Sequence, residues 1–337
     1  MAASKDSLKA SVIIVTYNHD RYICDCLESV LANSPFQIIV IDNSSSDSTV
    51  EKIKTRYDGR VEVVIRPNGG FGKGCNEGAK LAIGNILVFL NPDTRVEKGW
   101  LEGLTSPFSK QNVKTVAIPR IMQYSGLIVN TIGNIEHYCG LGFLNGNGEN
   151  WEAFNSIKRS IKGLSGACFA MRKDEFLSIG GFDENRFFCY LEDVDLSWRC
   201  MENGFSFFFS RESIVNHDYS PSMTPFKMRS IEEGRYLLLS KHYSRRNILS
   251  IAPALLLIDA MMMLQALQND NKSLKFKIAA MWTGWQRMLA SDGVNNSILS
   301  DLDYRIPENA YDISNSARKA IKIANWLLEI NWRMASR

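Results

Sequence analysis

Four short apolar runs are spaced through the first ninety residues: SVIIVT at 11–16, QIIVI at 37–41, VEVVI at 61–65 and ILVFL at 86–90. Helix-like patterns fill the gaps at 20–31, 47–57 and 72–83, the second announced by the polar cluster SSSDST, which suits a helix start. This alternation predicts an α/β fold, a largely parallel sheet covered by helices. In such sheets the carboxyl ends of the strands form the ligand crevice. Here each of those ends is polar: Thr16, Tyr17 and Asn18; Asp42, Asn43 and Ser44; Arg66 and Asn68; Asn91 and Asp93.

From about residue 224 the texture changes to long segments rich in Leu, Met, Ala, Lys and Arg, with helices expected at 225–241, 247–268, 273–290 and 314–335 and a polar loop at 291–310. The chain thus divides into residues 1–222 and a C-terminal α-helical region, 223–337. Its 337 residues and 45% hydrophobic content suit one large domain with an accessory piece. A net charge of +3 gives no global basic field, so no nucleic-acid partner is expected. Seven scattered cysteines with no CxxC pair argue against zinc or redox chemistry and fit a reducing compartment. The first ten residues lack the apolar core of a signal peptide, and a cytoplasmic location is expected. Residues 248–267 approach membrane-spanning length but contain Pro253, Asp259 and Gln265, and an interior Asp is costly in a bilayer.

Several clusters could carry chemistry. FFCYLEDVDLSWR places Glu192, Asp193 and Asp195 behind an aromatic run, where apolar neighbours disfavour an ionised carboxylate and a helix start favours it. Such a position can tune a catalytic base, although acids also open ordinary helices. Asp42, after the second strand, can accept from a base or ribose hydroxyl, or close a turn. RPNGGFGKGCNEG, which contains Gly70, offers backbone for close approach to a ligand ahead of a helix N-terminus. It follows the third strand, so it is no dinucleotide fingerprint, and Lys73 precedes Gly74, so it is no P-loop. Asp93 in LNPDT could join diphosphate oxygens around Mg²⁺ or Mn²⁺. His217 could ligate a metal as neutral imidazole or make a structural hydrogen bond. The small residues of GLSGACFAM (163–171) would admit substrates to close approach or simply allow tight strand packing.

In order, SVIIVTYN, VIDNSSSD, NGGFGKGCNEG, FLNPD, GACFAMRKDEF, GGFDENRFFCYLEDVDLSWR and VNHDYS resemble glycosyltransferase family 2, and within it the rhamnosyltransferase-like and galactofuranosyltransferase-like enzymes of cell-surface polysaccharide synthesis. The resemblance covers roughly residues 10–222. It implies a GT-A fold, a nucleotide-sugar donor such as dTDP-rhamnose or a UDP-sugar, a divalent cation, inversion at the anomeric carbon, and a glycan or lipid-linked glycan acceptor. Carried over by position, Thr16, Tyr17, Asn18, Asp42 and Asn43 would line the nucleotide pocket, and Arg66, Asn68 and Gly70 would lie beside the diphosphate. The family's DxD motif reads Asn91-Pro92-Asp93 here. Its first carboxylate is absent, which leaves Asp93, with His217, as the metal ligands. The family's base maps to Asp193, with Glu192 at the acceptor, while Asp195 and Arg199 are spaced for an i,i+4 pair. The helical tail is expected to contact a membrane surface peripherally or to form a homodimer. Two rivals are a nucleotidyltransferase, for which SVIIVTYNHD lacks a glycine-rich basic loop, and a non-catalytic sugar-binding scaffold, suggested by Asn91.

Overall fold

A computed structural model describes residues 8–109, 113–154, 161–219, 224–269, 271–290, 297–307 and 315–336. Its first part alternates β1 (Ala10–Thr16), α1 (Ile23–Leu31), β2 (Gln37–Asp42), α2 (Thr49–Arg56), β3 (Glu62–Ile65), α3 (Phe71–Leu81) and β4 (Ile86–Leu90). β5 (Thr94–Val96), α4 (Trp100–Thr105), β6 (Thr115–Gln123), β7 (Val129–Thr131) and the hairpin of β8 (Asn134–His137) and β9 (Leu141–Leu144) follow. Then come α5 (Trp151–Phe154), β10 (Cys168–Arg172), α6 (Lys173–Ser178), α7 (Glu192–Glu202) and β11 (Ser206–His217). Four long helices end the chain: α8 (Pro225–His242), α9 (Arg245–Asn269), α10 (Asn271–Ala290) and α11 (Asn315–Ala335).

The strands form a sheet in the order β3-β2-β1-β4-β10-β6-β11-β5, with β7 added to β6. The first four pair in parallel, as the alternation predicts. Beyond β4 the sheet is mixed: β10 runs antiparallel to β4 and β6, β6 and β11 are parallel, and β5 is antiparallel to β11. The reversal has a local cause. The chain enters β10 from the carboxyl edge, where Ala167 O accepts from Asn91 N at 2.9 Å, so β10 must run back against β4.

Strands covered on both faces need apolar residues at every position. In β1 and β4, Val12, Ile14, Val88 and Leu90 pack under Ile23, Leu27, Trp100 and Leu104, while Ile13, Val15, Leu87 and Phe89 pack under Cys75, Ala79, Phe176 and Leu196. The glycines of α3 let it lie close on this surface. A Cβ on Gly74 would sit 2.7 Å from Val15 Cγ1, and one on Gly78 2.5 Å from Ile13 Cγ2.

The helical tail and α7 bury one continuous cluster. Val194 and Trp198 of α7 and Tyr138 beside β8 pack with Tyr236, Leu239, Ile251, Leu255, Met288 and Leu328. The apolar stretch in α9 is long and apolar enough to cross a membrane by length and composition. Its Asp259 is buried and accepts from Arg235, from Tyr236 Oη at 2.8 Å, from Lys277 Nζ at 2.9 Å and from Trp285 Nε1 at 3.2 Å. Within the loop expected at 291–310, residues 297–307 include a 3-10 turn at Ser297–Ser300. Residues 291–296 and 308–314, which hold the rest of that loop and the expected start of the last helix, lie outside the described residues, as do 220–223 around the boundary read at 222.

Candidate active site

The chain enters α7 through two consecutive residues in left-handed backbone, Tyr190 at φ +66° and Leu191 at φ +68°. An L-residue meets a cost of roughly 1–2 kcal/mol in that region, so the surrounding packing must impose the turn. Gly70 supplies part of that packing. At φ +90°, a Cβ there would lie 1.9 Å from Phe188 O, while Phe71 N donates to the same carbonyl at 3.2 Å. The glycine-rich loop therefore approaches the backbone before α7 as closely as it could approach a ligand.

The turn presents Glu192 and Asp193 to a cavity of about 380 Å³ whose lining also includes Asn91, Gly166, His217 and Lys227. Asp193 Oδ2 accepts from Asn134 Nδ2 and from Gly166 N, both at 3.2 Å, and its Oδ1 accepts from Val194 N at 2.9 Å. Burial raises the Asp193 pKa, and these donors oppose that rise. Burial and then the charge of Asp193 push Glu192 up as well, and its Oε2 is buried without a hydrogen-bond partner among the described residues. Two adjacent carboxyls cannot ionise equally. The donors gather on Asp193 and favour charge there, while burial and the neighbouring Asp193 favour the neutral form of Glu192.

Behind this pair, Asp195 is fully buried and turned away. It accepts from Arg199 Nε at 2.8 Å, the i,i+4 pair expected from the spacing, and from Lys241 Nζ at 2.7 Å and His242 Nε2 at 2.9 Å.

Asp93 and His217 meet although they are far apart in sequence, because β5 pairs with β11 and registers Thr94 against His217. His217 Nε2 lies 3.4 Å from Asp93 Oδ1, and Asn130 Oδ1 holds the other ring nitrogen at 3.1 Å. Burial pushes the Asp93 pKa up, but His217 and then His19 bring it below the ordinary value. Its Oδ1 is buried and lacks a well-formed hydrogen bond. An anionic oxygen left open beside an imidazole nitrogen fits a divalent cation that takes its remaining ligands from water and a diphosphate. No group of three or more His, Cys, Asp or Glu side chains converges for this purpose among the described residues.

The other expected site residues lie along the carboxyl edge beside this cavity and are not part of its lining. Thr16 Oγ1 is 3.2 Å from His19 Nδ1, and Tyr17 is exposed. Asn18 Oδ1 accepts from Ser46 N at 2.8 Å, which ties the end of β1 to the loop after β2. Both oxygens of Asp42 accept from Ser45, so its carboxylate closes a turn. Asn43 Nδ2 donates to Gly70 O at 3.3 Å, and Asn68 Oδ1 accepts from Gly70 N at 3.1 Å. Arg66 is exposed, 3.4 Å from Glu77. In GLSGACFAM the glycines serve two ends: a Cβ on Gly163 would strike the Glu136 carboxylate at 2.0 Å, whereas Gly166 offers its N–H to Asp193.

Sequence reasoning missed Asn134, Asn130, His19 and Lys227. The first two arrive on β8 and β7 respectively, whose short strands gave no readable pattern, and Lys227 sits in what reads as the tail.

A sheet of this order with helices on both faces is a fold of the GT-A type. The Glycosyl transferase family 2 model matches residues 11–179, half of the chain. The chain belongs to that family. It is 23% identical over 260 residues to the N-acetylglucosaminyl-diphospho-decaprenol L-rhamnosyltransferase of Mycobacterium tuberculosis, covering 69% of this chain and 84% of that one. Among solved structures it resembles residues 1–349 of Staphylococcus aureus TarS, with a TM-score of 0.55, 16% identity and coverage of 97% and 90%. It also resembles GalNAc-T7 with UDP, GalNAc and Mn²⁺, with a TM-score of 0.58, 18% identity and coverage of 82% and 55%. At these identities the structures speak for the fold.

Proposed function

We propose that the protein is an inverting transferase that moves a sugar from a nucleotide-diphosphate sugar, dTDP-rhamnose or a UDP-sugar, to a hydroxyl of a glycan or lipid-linked glycan in cell-surface polysaccharide synthesis. One observation carries this reading: the Asp193 carboxylate and the imidazole paired with Asp93 line a single cavity. Asp193 takes the acceptor hydroxyl proton as that oxygen bonds to the anomeric carbon. The bond from that carbon to the diphosphate breaks on the opposite face, and its electron pair leaves with the nucleoside diphosphate. Glu192, kept neutral, donates a hydrogen bond to substrate. Asp93 and His217 would hold Mg²⁺ or Mn²⁺, with Asn91 beside them, and such an ion neutralises charge on a diphosphate. Thr16, Tyr17, Asn18 and Asn43 would bind the nucleoside, with Asp42 holding the turn beside them, and Arg66, Asn68 and Gly70 would lie near the diphosphate. The M. tuberculosis rhamnosyltransferase and the Mn²⁺ in GalNAc-T7 support donor and metal by likeness.

Residues 1–222 would carry most of this chemistry, with Lys227 of α8 in the wall of the same cavity, and the helices of 223–337 would lie on the cytoplasmic face of the cell membrane. Helices α9–α11 hold ten Lys and Arg residues against Asp259 and Glu329. Arg245, Arg246, Lys275, Arg287, Arg318, Lys319, Lys322 and Arg333 are exposed, as are Leu249, Leu256, Trp282, Ile323 and Trp326. A basic, aromatic and aliphatic face suits an anionic bilayer, and facing a second copy it would set like charges together. Sedimentation with anionic but not zwitterionic vesicles tests this placement.

The reaction is tested by screening dTDP-rhamnose and UDP-sugars for nucleoside diphosphate release, with Mn²⁺ and after chelation. Release from one donor only when acceptor and metal are present supports the proposal. No release from any donor would count against it.

A further inference from the structure

Lys227 is the first-turn lysine of α8, yet it belongs to the same cavity as Glu192 and Asp193. Its ammonium lies 5.1 Å from the Tyr219 ring centroid and 5.7 Å from that of Tyr190. Tyr219 stands beside His217, with ring centroids 5.9 Å apart, and Tyr190 belongs to the strained turn before Glu192. Lys227 therefore bridges the His217 end of the cavity and its acidic end. No carboxylate pairs with it among the described residues, and Thr224 Oγ1 receives its backbone N–H and not its ammonium. Burial lowers its pKa, and nothing opposes that shift. A half-buried cation held only by ring faces leaves its donors free for an anion.

We propose that Lys227 binds the donor's diphosphate, so that the helical tail supplies part of the donor site. This inference rests on the donor reading above. The diphosphate is the anion placed by that reading nearest His217, and the negative charge growing on it as the sugar departs would strengthen the contact. The tail then completes the catalytic cavity as well as covering α7.

An acceptor diphosphate has the same chemistry, so the test must separate the two. UDP, dTDP, UMP and dTMP are titrated into the full-length protein with Mn²⁺ by calorimetry, comparing wild type with Lys227→Met and Lys227→Arg. We expect Lys227→Met to weaken the diphosphate that wild type prefers by about 10- to 100-fold, and the matching monophosphate less than twofold, which also shows that the variant is folded. Lys227→Arg should keep most of the diphosphate affinity. Equal diphosphate binding by wild type and Lys227→Met overturns the inference, and so does an effect confined to the KM for acceptor. If wild type binds no nucleoside diphosphate while the fold is intact, the donor reading itself falls, and this inference with it.

Discussion

His242 of α8 sits between two carboxylates of α7, its Nε2 2.9 Å from Asp195 Oδ1 and its Nδ1 2.9 Å from Glu202 Oε1. An imidazole that faces acceptors at both nitrogens donates from both, and is therefore the cation. Burial lowers its pKa, but the bonds to Asp195 and Glu202 outweigh burial and raise it. Asp195, which also accepts from Arg199 and Lys241, is held well below the usual carboxylate range despite its burial. The helix that presents Asp193 at its front is thus clamped to the tail at its back.

This clamp sets a pH dependence. A group whose pKa is higher folded than unfolded stabilises fully below about 6.5, the unfolded value, and loses that contribution as pH rises through the folded value. Replacing His242 by Ala removes one partner of a buried pair and should cost about 3 kcal/mol at pH 6. The difference from wild type should shrink at pH 9. Thermal unfolding at the two values checks this, and an equal loss at both would contradict it.

Gly70→Ala tests the loop that supports α7. Left-handed backbone alone costs roughly 1–2 kcal/mol, and the clash with Phe188 O must add to it, because that atom is backbone and cannot rotate away. Denaturant unfolding should show a loss of at least that size. Activity should fall further than stability at temperatures where the variant is folded, since Phe188 leads into Tyr190 and Leu191.

β1, β2 and β4 were legible because burial on both sheet faces makes continuous apolar runs, β3 was legible from its β-branched residues, and the tail helices from long runs of helix-favouring residues. Glu192 and Asp193 were legible as an acidic cluster, and Asp93 and His217 as single polar residues. Their meeting was not, since it depends on β5 pairing across the sheet with β11. Asn134 reaches Asp193 from a four-residue strand, too short to show a period. Sequence placed Lys227 in a separate tail, whereas the packing of Trp198 and Val194 against α8–α11 brings it into the cavity. The reversal at β10 was also hidden, because a buried strand reads the same in either direction.

Asn130 orients His217, so Asn130→Ala should weaken Mn²⁺ binding about 10- to 100-fold, as loss of an orienting partner does at other metal sites. His217→Ala should weaken it at least as much, and chelation should abolish transfer until Mn²⁺ is restored. Calorimetric titration of Mn²⁺ in the presence of nucleoside diphosphate reads the affinity directly. Wild-type affinity in both variants would remove His217 from the metal site.

The proposed division of labour makes Asp193 the base and Glu192 its neutral neighbour. Its most direct test is single-turnover transfer by Asp193→Asn and Glu192→Gln, with donor binding measured on the same samples. Asp193→Asn should bind donor normally and lose about 10²- to 10⁴-fold in rate, whereas Glu192→Gln, which keeps a neutral side chain of the same shape, should stay within about tenfold of wild type. Full transfer by Asp193→Asn with donor bound would contradict the account.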